Sequence, residues 1–151
     1  EYIKDVLAET PLCKGGVCFE ITETAAIANL NRVRHFMSEL KKLGCLFSLD
    51  DFGSGLSSFA YLKNLPVDFL KVDGAFIKNV ARDDVDQSMV AAIQQVAQAM
   101  GIRAVAEHVE DEATRGRLAE IGVPLVQGFH IARPAPVRRF SPWSAEASRR
   151  A

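Results

Sequence analysis

Short apolar runs rich in β-branched residues recur along the chain, and each is followed by a longer amphipathic stretch. The runs begin 22 to 34 residues apart, which is the spacing of strands joined through helices. The pattern therefore predicts an α/β fold with five parallel strands. The predicted strands cover residues 17–22, 45–50, 69–72, 103–106 and 125–131.

Apolar residues at 3.6-residue spacing predict three helices between these strands, each ended by a glycine. The predicted helices cover residues 27–43, 87–100 and 111–121. A shorter helix over residues 2–9 and a loop over residues 10–16 precede the first strand. The first long helix is expected to bury Ile27, Leu30, Val33, Phe36, Met37 and Leu40. The second is expected to bury Met89, Val90, Ile93, Val96, Ala97 and Met100.

The number of strands limits the architecture. A closed barrel of eight βα units takes about 250 residues, whereas this chain has 151. The prediction is therefore an open five-stranded sheet or a TIM-type (βα) barrel without roughly its first three units. Residues 138–151 are rich in Arg, Ser and Ala, show little periodicity, and are expected to form a partly ordered tail.

Composition and charge narrow the classes of function. The chain is 48% hydrophobic and 25% charged with a formal net charge of -1, which gives no basic field for a nucleic-acid polymer or an anionic membrane. No apolar run approaches the roughly 18 residues of a membrane span, and the first residues do not form a signal peptide. Three cysteines without metal-ligand spacing predict free thiols and a cytoplasmic location.

Acidic side chains gather within or just after the predicted strands, at the end where βα folds build active sites. Two like charges about 4 Å apart repel by roughly 4 kcal/mol at an effective dielectric constant near 20. One lysine, Lys71, does not offset four converging carboxylates, so this oxygen-only set favours Mg²⁺ or Mn²⁺. The four carboxylates are those of Glu20, Asp50, Asp51 and Glu107. The polar residues are Glu20, Glu23, Asp50, Asp51, Lys71, Asp73, Glu107, Glu110 and Gln127.

A pair of divalent ions suits an in-line phosphoryl displacement, with Lys71 orienting the attacking water. Each residue alone also fits a structural role. Asp50 or Asp51 could cap a helix, and Lys71 could form a structural ion pair with Asp73 or Glu20. His108 fits either a metal ligand or a neutral loop histidine. Glu110 fits an exposed helix start, and the glycines and serines of residues 53–58 fit a simple turn.

Together these residues resemble one known family. Over residues 1–137 the sequence is similar to the EAL domains, bacterial cyclic di-GMP phosphodiesterases with a modified TIM-barrel fold. The motifs that carry the resemblance, in chain order, are Phe-Glu20-Ile-Thr-Glu23, Asp50-Asp51-Phe-Gly-Ser-Gly, Leu-Lys71-Val-Asp73, Ala-Glu107-His-Val-Glu110 and Gln127-Gly-Phe.

The resemblance implies hydrolysis of one phosphodiester of cyclic di-GMP, giving linear pGpG, with two Mg²⁺ or Mn²⁺ ions. It also implies a homodimer and further signalling domains in the parent chain, through which the parent could be membrane-tethered. The implied metal ligands are Glu20, Asp50, Asp51 and Glu107, and the implied catalytic residues are Lys71, Glu107 and Asp50. The implied substrate-binding residues are Asp51, Asp73, Glu110, Gln127 and Phe129. The implied anchors of the family's mobile loop, residues 51–58, are Glu23, Gly53 and Gly55.

Three departures from the family pattern affect the expected activity. The Glu-Ala-Leu signature and the asparagine that completes the first metal site are absent from this sequence. His108 stands where the family usually has glycine, and Leu56 replaces a common aromatic residue. We therefore expect an incomplete domain with poor turnover by itself.

Two other functions compete with this expectation. The first is a degenerate EAL domain that acts as a cyclic di-GMP receptor or a protein-interaction scaffold without catalysis. The second is an aldolase-like barrel in which Lys71 forms a Schiff base. A Schiff-base lysine needs a lowered pKa, and nearby carboxylates oppose that.

Overall fold

The structure is a computed structural model that describes residues 2–9, 14–53 and 59–136. Its centre is a sheet of five parallel strands that pair in chain order. The strands are β1 (Cys18–Thr22), β2 (Leu46–Phe52), β3 (Phe69–Val72), β4 (Arg103–Ala106) and β5 (Leu125–Val126). Sequential parallel order with intervening helices is the arrangement of a partial βα barrel, one of the two architectures that the strand count left open.

The described ranges contain seven helices, of which the first precedes β1 and the other six lie between strands. They are α1 (Tyr2–Glu9), α2 (Glu23–Ala28), α3 (Leu30–Lys42), α4 (Phe59–Leu62), α5 (Gly74–Ile77), α6 (Asp84–Ala99) and α7 (Glu112–Ile121). The amphipathic pattern predicted the longer helices, but α4 and α5 are single turns that carry no detectable periodicity.

One face of the sheet packs against the helices and forms the hydrophobic core. Phe47 and Leu49 of β2 and Leu70 and Val72 of β3 have no solvent exposure. The ring of Phe47 packs edge-on against Phe36 of α3, with the ring centroids 6.1 Å apart. Each such buried side chain contributes about 1.5–3 kcal/mol to folding, so this face holds the sheet together.

The predicted helix over residues 27–43 is wrong in its first part. The chain forms two helices that meet at Asn29, whose backbone angles of φ −145° and ψ 53° are not helical. The first helix begins directly after β1 because the Thr22 side chain accepts a hydrogen bond from the Ala25 N–H. Ile27 is therefore 47% exposed, and Phe36 lies at the edge of the core with 37% exposure. Met37 and Leu40 are buried as predicted.

The second and third long helices each differ from the prediction at the amino end. Helix α6 begins three residues earlier than predicted, because the Asp83 carboxylate accepts from two backbone N–H groups of its first turn. Met89, predicted to be buried, is 44% exposed. Asp111 is the cap of α7 rather than its first residue, and it accepts from the Thr114 N–H.

The fifth strand is shorter than the predicted residues 125–131. After Val126, the Gln127 N–H still donates to the Ala106 carbonyl at 2.8 Å, and the chain then turns at Gly128. A Cβ on Gly128 would lie 2.2 Å from the Val109 carbonyl oxygen, so this close approach requires glycine. Phe129 therefore lies in a turn rather than in the strand that the prediction assumed.

Some predictions fall on residues outside the described ranges. These are residues 10–13 of the predicted first loop, residues 54–58 of the loop that includes Gly55 and Leu56, and the tail at residues 138–151. Among the helices that the structure describes, none is long and apolar enough to cross a membrane.

Candidate active site

The second face of the sheet carries polar side chains at its carboxyl end. Glu20, Asp50 and Lys71 come from three neighbouring strands, and Glu107 follows β4 directly. Parallel pairing places Glu20 beside Ser48, two residues before Asp50. Partners in a parallel register point to the same side, so the fold brings these groups together as the sequence predicted.

Lys71 lies at the centre of this group and is only 6% exposed. Its Nζ is 2.8 Å from Glu107 Oε1, 3.0 Å from Asp50 Oδ1 and 3.1 Å from Glu20 Oε2. Burial alone lowers the pKa of Lys71, but the three carboxylates more than offset it, and the net pKa is raised. This raised pKa is opposite in direction to the lowered pKa that a Schiff-base lysine needs.

Two carboxylates of the group, those of Glu107 and Asp50, lie in an unusual electrostatic environment. Burial raises the pKa of Glu107, and nearby Asp50 raises it further while Lys71 opposes the change. Asp50 Oδ1 is buried, and its contact with Lys71 lacks the angles of a hydrogen bond. Among the described residues no other group donates a hydrogen bond to it, so this oxygen has spare capacity for a further positive partner.

Asp51 completes a second, overlapping group. Ligand oxygens of Asp50, Asp51 and Glu107 all lie within 4.8 Å of one another. Asp51 reaches this position from a left-handed backbone with φ 56°, beside an irregularity in the pairing of β2 with β3. An all-oxygen donor set at this spacing fits a hard divalent cation. The fourth predicted ligand, Glu20, is half-exposed and contacts the group through Lys71.

Asp73, predicted to bind substrate, caps the short helix α5 and accepts from the Ala75 N–H at 2.7 Å. The alternative ion pair between Lys71 and Asp73 is not among the contacts of the described residues. Asp50 and Asp51, for which a capping role was the alternative, lie within β2 and cap no described helix.

The remaining predicted substrate residues surround a cavity of about 180 Å³. Its lining consists of Glu107, His108, Glu110, Gln127, Gly128 and Phe129. Phe129 is 55% exposed, and the Arg133 guanidinium lies over its ring at 4.7 Å from the centroid. A carboxylate, an amide and an aromatic ring around one cavity can hold a planar, hydrogen-bonding ligand.

His108 has a left-handed backbone with φ 54°, which explains why glycine suits this position. Its ring occupies the space beside Gly74, where an added Cβ would lie 2.6 Å from His108 Nδ1. Within the described residues it is not part of the candidate metal group. The ring instead forms a wall of the cavity.

The predicted loop anchor Glu23 is buried with 2% exposure. Its Oε2 accepts a hydrogen bond from the Gly53 N–H at 3.1 Å, and its Oε1 accepts one from the Tyr61 hydroxyl. Sequence reasoning missed Tyr61, because no motif or spacing connects it to an acid 38 residues earlier in the chain. A polar hydroxyl in the otherwise apolar helix α4 was the available signal.

Comparison with known proteins gives a consistent result. The sequence model of the EAL domain family matches residues 1–134. The chain is 49% identical over 124 residues to the cyclic di-GMP phosphodiesterase PdeB of Shewanella oneidensis, covering 82% of this chain and 14% of that protein.

Two solved structures are also similar. The phosphodiesterase PaMucR in complex with c-di-GMP has a TM-score of 0.84 and 34% identity, over 91% of this chain and 56% of that one. The EAL domain of Mycobacterium smegmatis DcpA has a TM-score of 0.80 and 35% identity, over 87% of this chain and 59% of that one. The chain therefore spans only part of each of these relatives.

Proposed function

Because this chain belongs to the EAL domain family, we propose that it is the carboxyl-terminal portion of a cyclic di-GMP phosphodiesterase domain. The reaction is hydrolysis of one phosphodiester of cyclic di-GMP to linear pGpG. The observation that carries the proposal is the overlap of two groups on one sheet edge. Lys71 contacts three carboxylates there, and two of these also belong to the acidic trio with Asp51.

In this proposal the acidic residues hold two divalent cations, Mg²⁺ or Mn²⁺. When bound, such a pair supplies charge neutralisation and lowers the pKa of water at a phosphodiester. The proximity of the Asp50, Asp51 and Glu107 carboxylates supports their role as ligands, and the family resemblance adds Glu20 as the fourth. Their oxygen chemistry supports this assignment over zinc or copper.

The chain's own residues then position the reactants. Lys71 is held as an ammonium ion by its carboxylates, so it donates hydrogen bonds and orients the attacking water or the developing charge on phosphate. Glu110, Gln127 and Phe129 line the cavity beside Glu107 and bind a guanine portion of the substrate. Asp73, at the start of α5, is a further substrate-binding residue in this proposal.

We further propose that this portion turns over substrate poorly by itself, as a cytoplasmic domain that forms homodimers and works beside other signalling domains. The Glu-Ala-Leu signature residues of the family are not in its sequence. The competing receptor function lacks catalysis, and the presence of Glu20, Asp50, Asp51, Lys71 and Glu107 together supports the enzymatic proposal against it.

Calorimetric titration of cyclic di-GMP, in Ca²⁺ to prevent turnover, tests the site. We expect binding to the wild-type chain and its loss in Glu20→Ala and Asp50→Asn. The exposed Glu120→Ala on α7 is the matched control and should bind as the wild type does.

Parallel incubation with Mn²⁺ and chromatography of the products tests catalysis. Slow or no release of pGpG is expected from this chain. Absence of cyclic di-GMP binding by a chain shown to be folded would contradict the proposal, and rapid turnover would contradict its claim of incompleteness.

A further inference from the structure

Tyr61 and Gly53 both donate hydrogen bonds to the buried carboxylate of Glu23. Glu23 Oε2 accepts a hydrogen bond from the Gly53 N–H, and Glu23 Oε1 accepts one from the Tyr61 hydroxyl. Glu23 itself is the first residue of α2, directly after β1. One side chain thus joins the end of β1, the end of β2 and helix α4.

The Gly53 end of this connection lies two residues from Asp51, where the backbone is unusual. Asp51 has φ 56° and Gly53 has φ +99°. A left-handed conformation at a residue other than glycine costs about 1 kcal/mol or more and persists only where surrounding contacts impose it. Gly53 also packs so closely that a Cβ there would lie 2.6 Å from Phe76 Cε2. The hydrogen bond to Glu23 is a polar restraint on this turn.

The Tyr61 end fixes the direction of the Glu23 carboxylate. A buried carboxylate needs donors to compensate for lost hydration, and a phenol hydroxyl bonded to an ionised acid is a strong, charge-assisted donor. Burial raises the pKa of Tyr61, and its hydrogen bond to Glu23 raises it further. Both effects favour the protonated hydroxyl, which is the form that donates to Glu23.

We propose that Tyr61 is a positioning residue for the acidic site, acting through Glu23 and Gly53 on Asp51. This inference rests on the proposed function, since it assumes that Asp50, Asp51 and Glu107 hold a divalent cation. Tyr61 touches neither the cation nor the substrate. Its hydroxyl orients Glu23, Glu23 holds the turn at Gly53, and the turn keeps the Asp51 carboxylate beside its two partners. Loss of the hydroxyl should weaken metal binding while every ligand remains.

Removal of a single oxygen tests the proposal. Tyr61→Phe keeps the ring and deletes the hydroxyl, and Tyr2→Phe is the matched control because Tyr2 is 79% exposed and is the chain's other tyrosine. Calorimetric titration with Mn²⁺ alone should show affinity about tenfold lower in Tyr61→Phe, which corresponds to about 1.4 kcal/mol. Tyr2→Phe should match the wild type.

A double-mutant cycle with Glu23→Gln separates positioning from general destabilisation. If both residues act through one path, the double variant should lose little more Mn²⁺ affinity than either single variant. Additive losses would overturn the proposal. Urea unfolding of each variant confirms that the titrated protein is folded, and amide exchange at Gly53, measured by NMR, should be faster in Tyr61→Phe even if that variant is too unstable for calorimetry.

The remaining outcomes separate this proposal from the proposed function. Wild-type affinity in Tyr61→Phe, with clear Mn²⁺ binding in the wild type, would overturn the positioning role and leave the proposed metal site intact. No Mn²⁺ binding by the folded wild type would overturn both.

Discussion

Neighbouring residues of one strand lie on opposite faces of the sheet, and the two faces contribute differently to stability. In β2, Phe47 and Leu49 have no exposure and pack toward the helices, whereas Ser48 and Asp50 face the side that carries Lys71. The helix-facing side gains free energy by burying apolar surface. The other side gathers like charges and the Ser48 hydroxyl, which has no hydrogen-bond partner within the described ranges, and both features cost free energy. Strand alternation therefore lets apolar burial stabilise a charged cluster that would not form alone.

The largest difference in the free energy of unfolding is expected between substitutions of Leu49 and Ser48, which are adjacent and buried on opposite faces. Leu49→Ala should lower the free energy of unfolding by about 3 kcal/mol through lost burial and a residual cavity. Ser48→Ala should be neutral or slightly stabilising, because Ser48 Oγ is buried and has no hydrogen-bond partner among the described residues. Urea unfolding measures both, and a loss of similar size in the two variants would break the distinction between the faces.

A smaller loss of stability is expected when Lys71, the counterion of the charged face, is replaced. Lys71→Met should destabilise the protein in EDTA by about 2 kcal/mol, because three carboxylates lose their cation. Added Mn²⁺ should raise the thermal midpoint more in this variant than in the wild type, since the metal then supplies the missing charge. The exposed Lys63→Met is the control, with a change within about 0.5 kcal/mol. Equal Mn²⁺ effects in all three proteins would be evidence against a shared role for Lys71 and the metal.

The smallest effect lies outside both faces, on the exposed surface of α7. Arg115 holds the pKa of Glu112 at about 2, with a further hydrogen bond from His130. Since this folded-state pKa is below the ordinary value of about 4.3, its contribution to stability is present above pH 4.3 and is lost as the pH falls toward 2. Glu112→Gln should remove this part of the acid dependence. Salt at 1 M should shrink the difference from wild type, and a salt-independent difference would contradict a screened surface pair.

Most of the charged face could be predicted from the sequence because its residues lie within strands or directly after them. Glu20, Asp50, Lys71 and Glu107 occur at fixed positions in apolar runs, and parallel strands bring such positions together. The family resemblance added roles that spacing alone did not give. The α/β class and the parallel pairing of the strands followed from the same periodicity.

The errors came from short-range effects that periodicity does not report. Thr22 and Asp83 start helices earlier than the apolar pattern suggested, because side-chain caps set helix ends. Gly128 ends β5 through a close backbone approach to Val109, which only the three-dimensional packing shows. Tyr61 was missed because its partner is distant in sequence and its helix has only four residues.

The most direct test of the account is the location of a metal ion by anomalous diffraction from crystals of this chain soaked in Mn²⁺. We expect an anomalous peak within coordination distance of carboxylate oxygens of Asp50, Asp51 and Glu107, on the face opposite Phe47 and Leu49. This expectation would be contradicted by an empty position there, with Lys71 still bound to all three of its carboxylates, or by a peak only at surface acids such as Glu112.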